Sequence, residues 1–303
     1  MKTEDRIKGA LIGLACGDAV GTTLEFEVRG SFDPILDMVG GGPFKLDPGQ
    51  WTDDTSMALC LGHSLAFKKG FDPIDQMNRY CNWYQYGYMS SNGECFDIGI
   101  TVSSALRSYL ETQDPFSGPT DEYSSGNGSI MRLAPIPMFY NEDVEACIYH
   151  AGESSRTTHG SLECIESCKM FSSLIFHAFQ ATHQNEIFDR NSYESTSTSV
   201  QKIIKKSFLK LSYDEIRGSG YVIDSLNAAL WCFMNTESFA EAILMAANLG
   251  DDADTTAAVC GQIAGAFYGM AGIPYAWIEK LAMLDEIEEL ADTLAKAKPM
   301  TLA

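Results

Sequence analysis

Two stretches of sequence decide the fold: GALIGLACG at residues 9–17 and GQIAGAFYG at residues 261–269. In both, glycine recurs at every fourth position of an apolar segment with helical periodicity. Glycine inside a helix costs about 1 kcal/mol relative to alanine, so another interaction must offset it. Residues four apart form one ridge of a helix, where glycines let another backbone approach closely. We therefore predict two tightly packed interior helices, and packing against each other is one arrangement that meets this requirement.

The rest of the sequence continues the helical pattern. Apolar spacing predicts helices at residues 3–17, 56–68, 74–87, 98–111, 143–153, 161–180, 200–210, 222–234, 238–248, 255–269 and 275–296, with loops at 30–51, 112–129 and 182–199. Alternating strand patterns are scarce. No long linker divides the chain, and the two glycine-rich helices lie at its opposite ends. We predict an all-α fold, a compact single-domain orthogonal helical bundle over residues 1–303.

Composition narrows the range of functions. The chain has 303 residues, of which 45% are hydrophobic, and a formal net charge of −20. Such an acidic chain repels nucleic-acid phosphates, and no apolar run approaches the length of about 20 residues that spans a bilayer. The nine cysteines are single residues without a CxxC spacing. We expect reduced thiols, a cytoplasmic location and no nucleic-acid or membrane partner.

Acids and threonines cluster at two predicted helix starts, WTDDT at residues 51–55 and GDDADTT at residues 250–256. Helix capping explains one such residue in each segment. Each segment has four or more, and the others remain to be explained, because clustered carboxylates repel one another unless a cation neutralises them. Carboxylate and hydroxyl oxygens without Cys or His suit Mg²⁺ or Mn²⁺. The candidate ligands of a two-metal site are Thr52, Asp53, Asp54, Asp252, Asp254 and Thr255.

Two further polar segments lie outside these helix starts. Glu25 follows the first helix in a glycine-flanked loop, where the alternative is an ordinary surface carboxylate. The segment SSGNGSIMR, residues 124–132, contains a glycine and serine turn. Backbone N–H groups of such a turn can surround an anion, although a lone Gly-Asn-Gly is more often only a turn.

Taken together, these segments resemble the ADP-ribosylglycohydrolase family, which includes dinitrogenase reductase-activating glycohydrolases and the ADP-ribosylarginine and ADP-ribosylserine hydrolases. The matching segments are residues 17–25, 51–55, 125–132, 155–159 (SRTTH) and 252–255. They follow the family's order over about residues 9–270. The resemblance implies an all-α domain with two Mg²⁺ or Mn²⁺ ions in a cleft.

The resemblance also implies roles for individual residues. Thr52, Asp53, Asp54, Asp252, Asp254 and Thr255 correspond to metal ligands, Glu25 to a carboxylate that gates the site or orients water, Ser124, Ser125, Gly126, Asn127 and Gly128 to a diphosphate cradle, and His159 to a residue near the ribose. For His159 the alternative is a helix-terminal histidine satisfied by the backbone. The doublet Asp251-Asp252 stands where many relatives have Gly-Asp, and it leaves the metal set intact.

The segment CFDIG, residues 95–99, looks most like the dinitrogenase-reductase branch, in which an Asp lies at the scissile bond. By this resemblance Asp97 and Glu25 are the catalytic candidates, one of which would move protons as the bond breaks. The alternative for Asp97 is that it caps the helix predicted to start near Gly99. That branch removes ADP-ribose from arginine side chains of modified proteins. The alternatives are an immunity protein that binds or counteracts an ADP-ribosyltransferase toxin, and a hydrolase of serine-linked or free ADP-ribose derivatives.

Overall fold

Helices account for the regular structure of residues 2–298, the part of the chain that the computed structural model describes. The α-helices are α1 (Thr3–Gly21), α2 (Asp53–Lys68), α3 (Pro73–Tyr86), α4 (Ile100–Thr112), α5 (Pro135–Phe139), α6 (Val144–Arg156), α7 (Leu162–Ala178), α8 (Gln184–Arg190), α9 (Thr198–Ile204), α10 (Val222–Met234), α11 (Phe239–Ala247), α12 (Ala253–Tyr268), α13 (Tyr275–Ile278) and α14 (Leu284–Ala295). Short 3-10 helices cover Thr22–Leu24, Glu122–Ser124, Ser207–Lys210 and Met270–Gly272. These residues form two isolated β-bridges and no strand, which confirms the predicted all-α fold.

The two glycine-rich helices pack directly against each other. A Cβ atom placed at Gly9 would overlap the carbonyl oxygen of Gly265, and one at Gly13 would overlap that of Gly261. The same contact continues from Gly17 to residue 257 and from Gly21 to residue 253, so α1 and α12 run antiparallel. The absence of side chains along both ridges lets the two backbones touch. As a result, the C-terminal end of α1 lies beside the N-terminus of α12.

The first helix is almost wholly enclosed by the others. Together with the turn that follows it, the segment Thr3–Leu24 is apolar and long enough to cross a membrane by length and composition, which corrects the expectation that no apolar run approaches that length. In the fold, however, 89% of its most apolar window is buried. One connected hydrophobic core surrounds it and includes side chains from α2, α7, α10, α11 and α14. The segment is therefore a core helix of this fold.

The prediction of a single helix over residues 275–296 is wrong, because the chain turns between Ile278 and Leu284. Met283 there has a φ of 54°. The neighbouring residue Ala282 donates its N–H to Gly49 and accepts a hydrogen bond from the Trp51 indole at 3.2 Å. This contact with the loop before α2 interrupts the helix.

Other boundaries also differ from prediction. Helix α5 was not predicted, and α8 falls inside the predicted loop at 182–199. The segment predicted as one helix at 200–210 divides at Lys206, which has a φ of 55°. The predicted domain boundary, 1–303, includes residues 1 and 299–303, which lie outside the described residues and stay untested.

We expect Gly13→Ala to lower the free energy of unfolding by about 3 kcal/mol, because its methyl group would press on the backbone of α12. The higher helix propensity of alanine, about 1 kcal/mol, offsets only part of this loss. Urea denaturation measures the effect. Gly70→Ala is the matched control, since its nearest neighbour would be the Tyr140 hydroxyl at 3.9 Å. Equal unfolding midpoints for both variants would contradict the packing argument.

Candidate active site

The two acidic segments lie together at the end of the bundle where α1 stops. Thr52 precedes α2, and its hydroxyl is 3.3 Å from Oδ2 of Asp254 in α12. The Thr255 hydroxyl of α12 is 3.5 Å from Oδ2 of Asp54. All four side chains are buried. The close packing of α1 against α12 therefore places two helix N-termini and their acids at one site.

The residues immediately before the two helices do not cap them. Thr52 and Asp252 occupy the positions before α2 and α12, and neither side chain makes a capping hydrogen bond. The carboxylates that cap them come from the end of α1 and the turn after it. Asp18 accepts hydrogen bonds from the N–H groups of Thr52 (2.8 Å) and Thr55 (3.0 Å) and from both hydroxyls. Glu25 Oε2 accepts from the N–H of Ala253 at 2.8 Å.

The structure shows that Glu25 and Asp18 both belong to the acidic site, which the sequence left open for Glu25 and did not predict for Asp18. Glu25 is 5% exposed, so it is not an ordinary surface carboxylate. Asp18 was not among the predicted site residues, although it is fully buried and belongs to the acidic cluster. Its one sequence signal is a charge that interrupts an apolar helix. With these two residues as caps, the side chains of Asp54, Asp252 and Asp254 lie within one acidic cluster.

The capping carboxylates and the acids at the helix starts form two groups that could hold a metal ion. Oxygen atoms of Asp18, Asp54 and Asp254 lie within 4.8 Å of one another, as do those of Glu25, Asp252 and Asp254. Asp54 Oδ1 is buried and has no hydrogen-bond partner among the described residues. An unpartnered carboxylate oxygen in an all-oxygen cluster fits a hard divalent cation.

Electrostatics support the same interpretation. Burial and the nearby Asp97 carboxylate raise the pKa of Asp254 to about 8. Burial and Asp254 raise the pKa of Asp252 to about 7. The pKa values of Asp53 and Asp54 are also well above the ordinary range, because both are buried among other acids. A bound cation would offset this repulsion and keep the carboxylates ionised.

A cavity of about 390 Å³ opens beside the acids. The predicted residues that line it are Glu25, Asp53, Asp97, Gly126, Asn127, Gly128, His159, Asp252, Asp254 and Thr255. Ser124 and Ser125 do not line it. Their hydroxyls donate to Asp121 and Ser161, respectively. Asp53 lies in this lining but in neither of the two close acidic groups.

The glycine turn is tied to the acidic cluster by Asn127. Its side-chain amide donates to Oδ2 of Asp252 at 2.7 Å. On the far side, the buried Gln262 of α12 donates to the carbonyls of Ile130 and Met131. The N–H groups of Gly126 and Gly128 have no acceptor in the described part of the chain. The turn is thus anchored from both sides, while two donors remain available to a ligand.

His159 presents an N–H donor beside this turn. Arg132 donates to the Thr158 hydroxyl at 2.6 Å, so that hydroxyl can give its own proton to Nδ1 of His159, 2.9 Å away. This network assigns the proton of the neutral imidazole to Nε2. Burial and the Arg132 charge lower the pKa of His159 to about 3. The ring therefore bonds to a side chain rather than to the backbone.

Asp97 does not cap helix α4. The residue before that helix is Gly99, which makes no side-chain cap, and Asp97 has a φ of 58°. Its carboxyl group lies beside that of Asp254 inside the cleft. Burial raises the pKa of Asp97 to about 6. The capping alternative is therefore wrong, and Asp97 is part of the acidic site.

Fold and site together define an all-α protein whose acidic cleft can hold a metal ion beside an anchored glycine turn. The chain belongs to the ADP-ribosylglycohydrolase family, whose sequence profile matches residues 1–301. This match confirms the resemblance seen in the sequence motifs.

Individual relatives agree with this assignment. The chain is 43% identical to proteins named ADP-ribosylarginine hydrolase Tri1 from Pseudomonas putida (strain GB-1) and Serratia proteamaculans (strain 568), covering 97% of this chain and 79% and 80% of theirs. It is 30% identical to the ADP-ribosyl-[dinitrogen reductase] glycohydrolase of Rhodospirillum rubrum, covering 94% of this chain and 93% of that protein. A solved structure titled "ADP-ribosylglycohydrolase-related protein complex" matches with a TM-score of 0.86 and 37% identity, over 98% of this chain and 99% of that one.

We expect Asp254→Ala to weaken Mn²⁺ binding by more than about tenfold, because both close acidic groups contain Asp254. Isothermal titration calorimetry measures the affinity and the number of bound ions. Asp285→Ala, which removes an exposed acid from α14, is the control for net charge. Asp97→Asn should retain the bound metal. Full metal occupancy in Asp254→Ala would show that the ligand assignment is wrong.

We expect Gly128→Ala to weaken ADP-ribose binding by about tenfold, the equivalent of one hydrogen bond. Its Cβ would lie 2.8 Å from Cε1 of His159 and displace the ring from the turn. Gly126→Ala is the matched variant with a smaller expected effect, because its Cβ would lie 3.4 Å from Nε2. Equal affinities for the wild type and Gly128→Ala would exclude the turn from the binding site.

Proposed function

We propose that this protein is a hydrolase that removes ADP-ribose from arginine side chains of modified proteins. The observation that carries this proposal is the placement of Asp97 in the cleft, beside Asp254 and the two acidic helix starts. The glycine turn beside it offers N–H donors to a diphosphate. The arginine linkage is supported by the relatives that carry the name ADP-ribosylarginine hydrolase.

We propose that the acidic cluster holds two Mg²⁺ or Mn²⁺ ions. Asp53, Asp54, Asp252 and Asp254 would supply carboxylate ligands, and Thr52 and Thr255 would supply hydroxyls. Asp18 and Glu25 also belong to the two close groups of oxygen atoms. Such ions activate water and hold substrate hydroxyls in hydrolases.

The chemistry requires a proton transfer that this chain can provide. The oxygen of water forms a bond to C1″ of the ribose, and the bond from C1″ to the guanidine nitrogen breaks. The bonding electron pair leaves with the nitrogen of the guanidinium as a neutral guanidine, a strong base, which takes up the proton that the attacking water loses. Asp97 lies in the cleft with an ionisable carboxyl group and transfers this proton.

The other cleft residues hold the substrate and the water. Oε2 of Glu25 accepts from the N-terminus of α12, and the Glu25 carboxylate, which belongs to one of the two acidic groups, orients the water. Gly126, Asn127 and Gly128 receive the diphosphate, and the Nε2–H of His159 donates to the ADP-ribose beside it. A role for Ser124 and Ser125 in binding stays a prediction.

The setting of this activity is also a proposal. All nine cysteines are free, which fits a reducing cytoplasm. The substrates would be ADP-ribosylated proteins, as for the relatives named after ADP-ribosylarginine and ADP-ribosyl-[dinitrogen reductase]. Contact with an ADP-ribosyltransferase toxin, and action on serine-linked or free ADP-ribose derivatives, stay alternatives that the experiments below distinguish.

The test of the proposed function is release of ADP-ribose from defined arginine- and serine-modified peptides, with EDTA and with added Mg²⁺ or Mn²⁺. We expect metal-dependent release from the arginine peptide. Exclusive release from the serine peptide would favour the alternative hydrolase. Protection of cells from a transferase toxin by an inactive variant would favour the immunity role.

We expect Asp97→Asn to lower turnover of the arginine peptide at least about a hundredfold, because asparagine cannot transfer a proton. Asparagine tolerates the positive φ of this position, so folding should be retained. Metal and ADP-ribose affinities, measured by calorimetry, should stay within about twofold of the wild type. A decrease in turnover of less than threefold would make Glu25 the leading candidate for the proton-transfer group.

A further inference from the structure

Phe26 lies at the mouth of the cleft in a backbone conformation that bulky side chains rarely adopt. Its φ is 64°, and its side chain is 66% exposed. The Phe26 N–H donates to the carbonyl of Asp251 at 2.8 Å, and the Asp251 N–H donates to the carbonyl of Glu27 at 2.8 Å. Asp251 also has a positive φ, 58°. Backbone strain of this kind is concentrated at functional sites, and here it holds an aromatic ring and a carboxylate at one opening.

The Phe26 ring is the outer member of a row of three. Its centroid is 6.2 Å from that of Phe44, which is 5.3 Å from that of Phe96. The three rings come from three separate loops, and the two ends of the row are covalent neighbours of Glu25 and Asp97. Phe44 and Phe96 are half-buried. Phe44 packs against Phe26, and Phe96 packs against Phe44. The row of rings therefore runs from the neighbour of Glu25 to the neighbour of Asp97, the two carboxylates proposed for catalysis.

The charge of this opening favours a cationic ligand. Its lining includes the carboxylates of Glu25, Asp97 and Asp251, and no Lys or Arg occurs among the described lining residues. Asp251 is exposed and makes no described side-chain hydrogen bond. Neither Phe26 nor Asp251 is needed to bind a metal ion or the diphosphate in the site described above.

We propose that Phe26 and Asp251 form the subsite for the guanidinium group of the modified arginine, and so select arginine as the leaving group. This inference rests on the proposed function. A guanidinium is planar and cationic, stacks on aromatic faces and donates to carboxylates. A serine leaving group has no charge and no planar surface, so it gains nothing from this ring. Phe26 and Asp251 are therefore specificity-determining residues.

The test uses agmatine, a small alkylguanidine, as a probe of the subsite. Its affinity for the full chain is measured by NMR titration in the presence of Mg²⁺ and saturating ADP-ribose. We expect Phe26→Leu to weaken agmatine binding about three- to thirtyfold, because it keeps an apolar side chain and removes the ring. Phe26→Tyr, which keeps the ring, should stay within about twofold of the wild type. Asp251→Asn, which tolerates the same backbone conformation, should weaken binding about two- to fivefold.

Two measurements separate this inference from a general loss of structure. The affinity for ADP-ribose alone should not change in any of these variants, and the KM for the arginine peptide should rise more than kcat falls. Tyr149→Leu, which removes an exposed aromatic ring that does not line the cleft, is the control and should match the wild type.

The outcomes are distinct. Wild-type agmatine affinity in both Phe26→Leu and Asp251→Asn would overturn the subsite, as would the absence of agmatine binding by the wild type at millimolar concentration. Failure of the wild type to cleave the arginine peptide would instead overturn the proposed function. In that case the agmatine titration still decides the subsite, because it requires no hydrolysis.

Discussion

Backbone contact between α1 and α12 is the constraint on which the rest of the structure depends. Helices with ordinary side chains pack with their axes 8–10 Å apart, whereas the glycine ridges at residues 9–21 and 261–265 let the two backbones touch. One consequence is topological, since the two ends of the sequence join in a single core. The other is chemical, because residues at the end of α1 lie within hydrogen-bond distance of the helix starts that carry the acids.

Capping from another segment explains how so many acids share one place. A helix start has unpaired N–H groups and a positive dipole end, and both favour carboxylates. Asp18 and Glu25 satisfy N–H groups of α2 and α12. Asp53, Asp54 and Asp252 are therefore not needed as caps and keep the benefit of the dipole, while Asp254 accepts the N–H of Thr255 at 2.7 Å. Mutual repulsion remains, which the raised pKa of Asp254 reflects. A cation at this position would relieve that repulsion.

Sequence reasoning succeeded where the signal is local and failed where it depends on tertiary contacts. The glycine spacing and the helical periodicity predicted the all-α fold, and residue type alone located Asp54 and Asp254. The break before Leu284 depends on contacts with Gly49 and Trp51, which no local pattern reveals. The capping role of Asp18 likewise depends on the distance between α1 and α2.

The sequence did not predict the backbone conformation of the residues around the cleft. Phe26, Asp97 and Asp251 all line the cleft with positive φ. Aspartate tolerates this region better than most residues, whereas phenylalanine does not, so only neighbouring structure can hold Phe26 there. The exchange of backbone hydrogen bonds between the segments at Phe26 and Asp251 does so, and it joins the loop after α1 to the loop before α12. Since the packing of α1 on α12 sets the distance between those loops, the glycine ridges also determine where the cleft's outer side chains point.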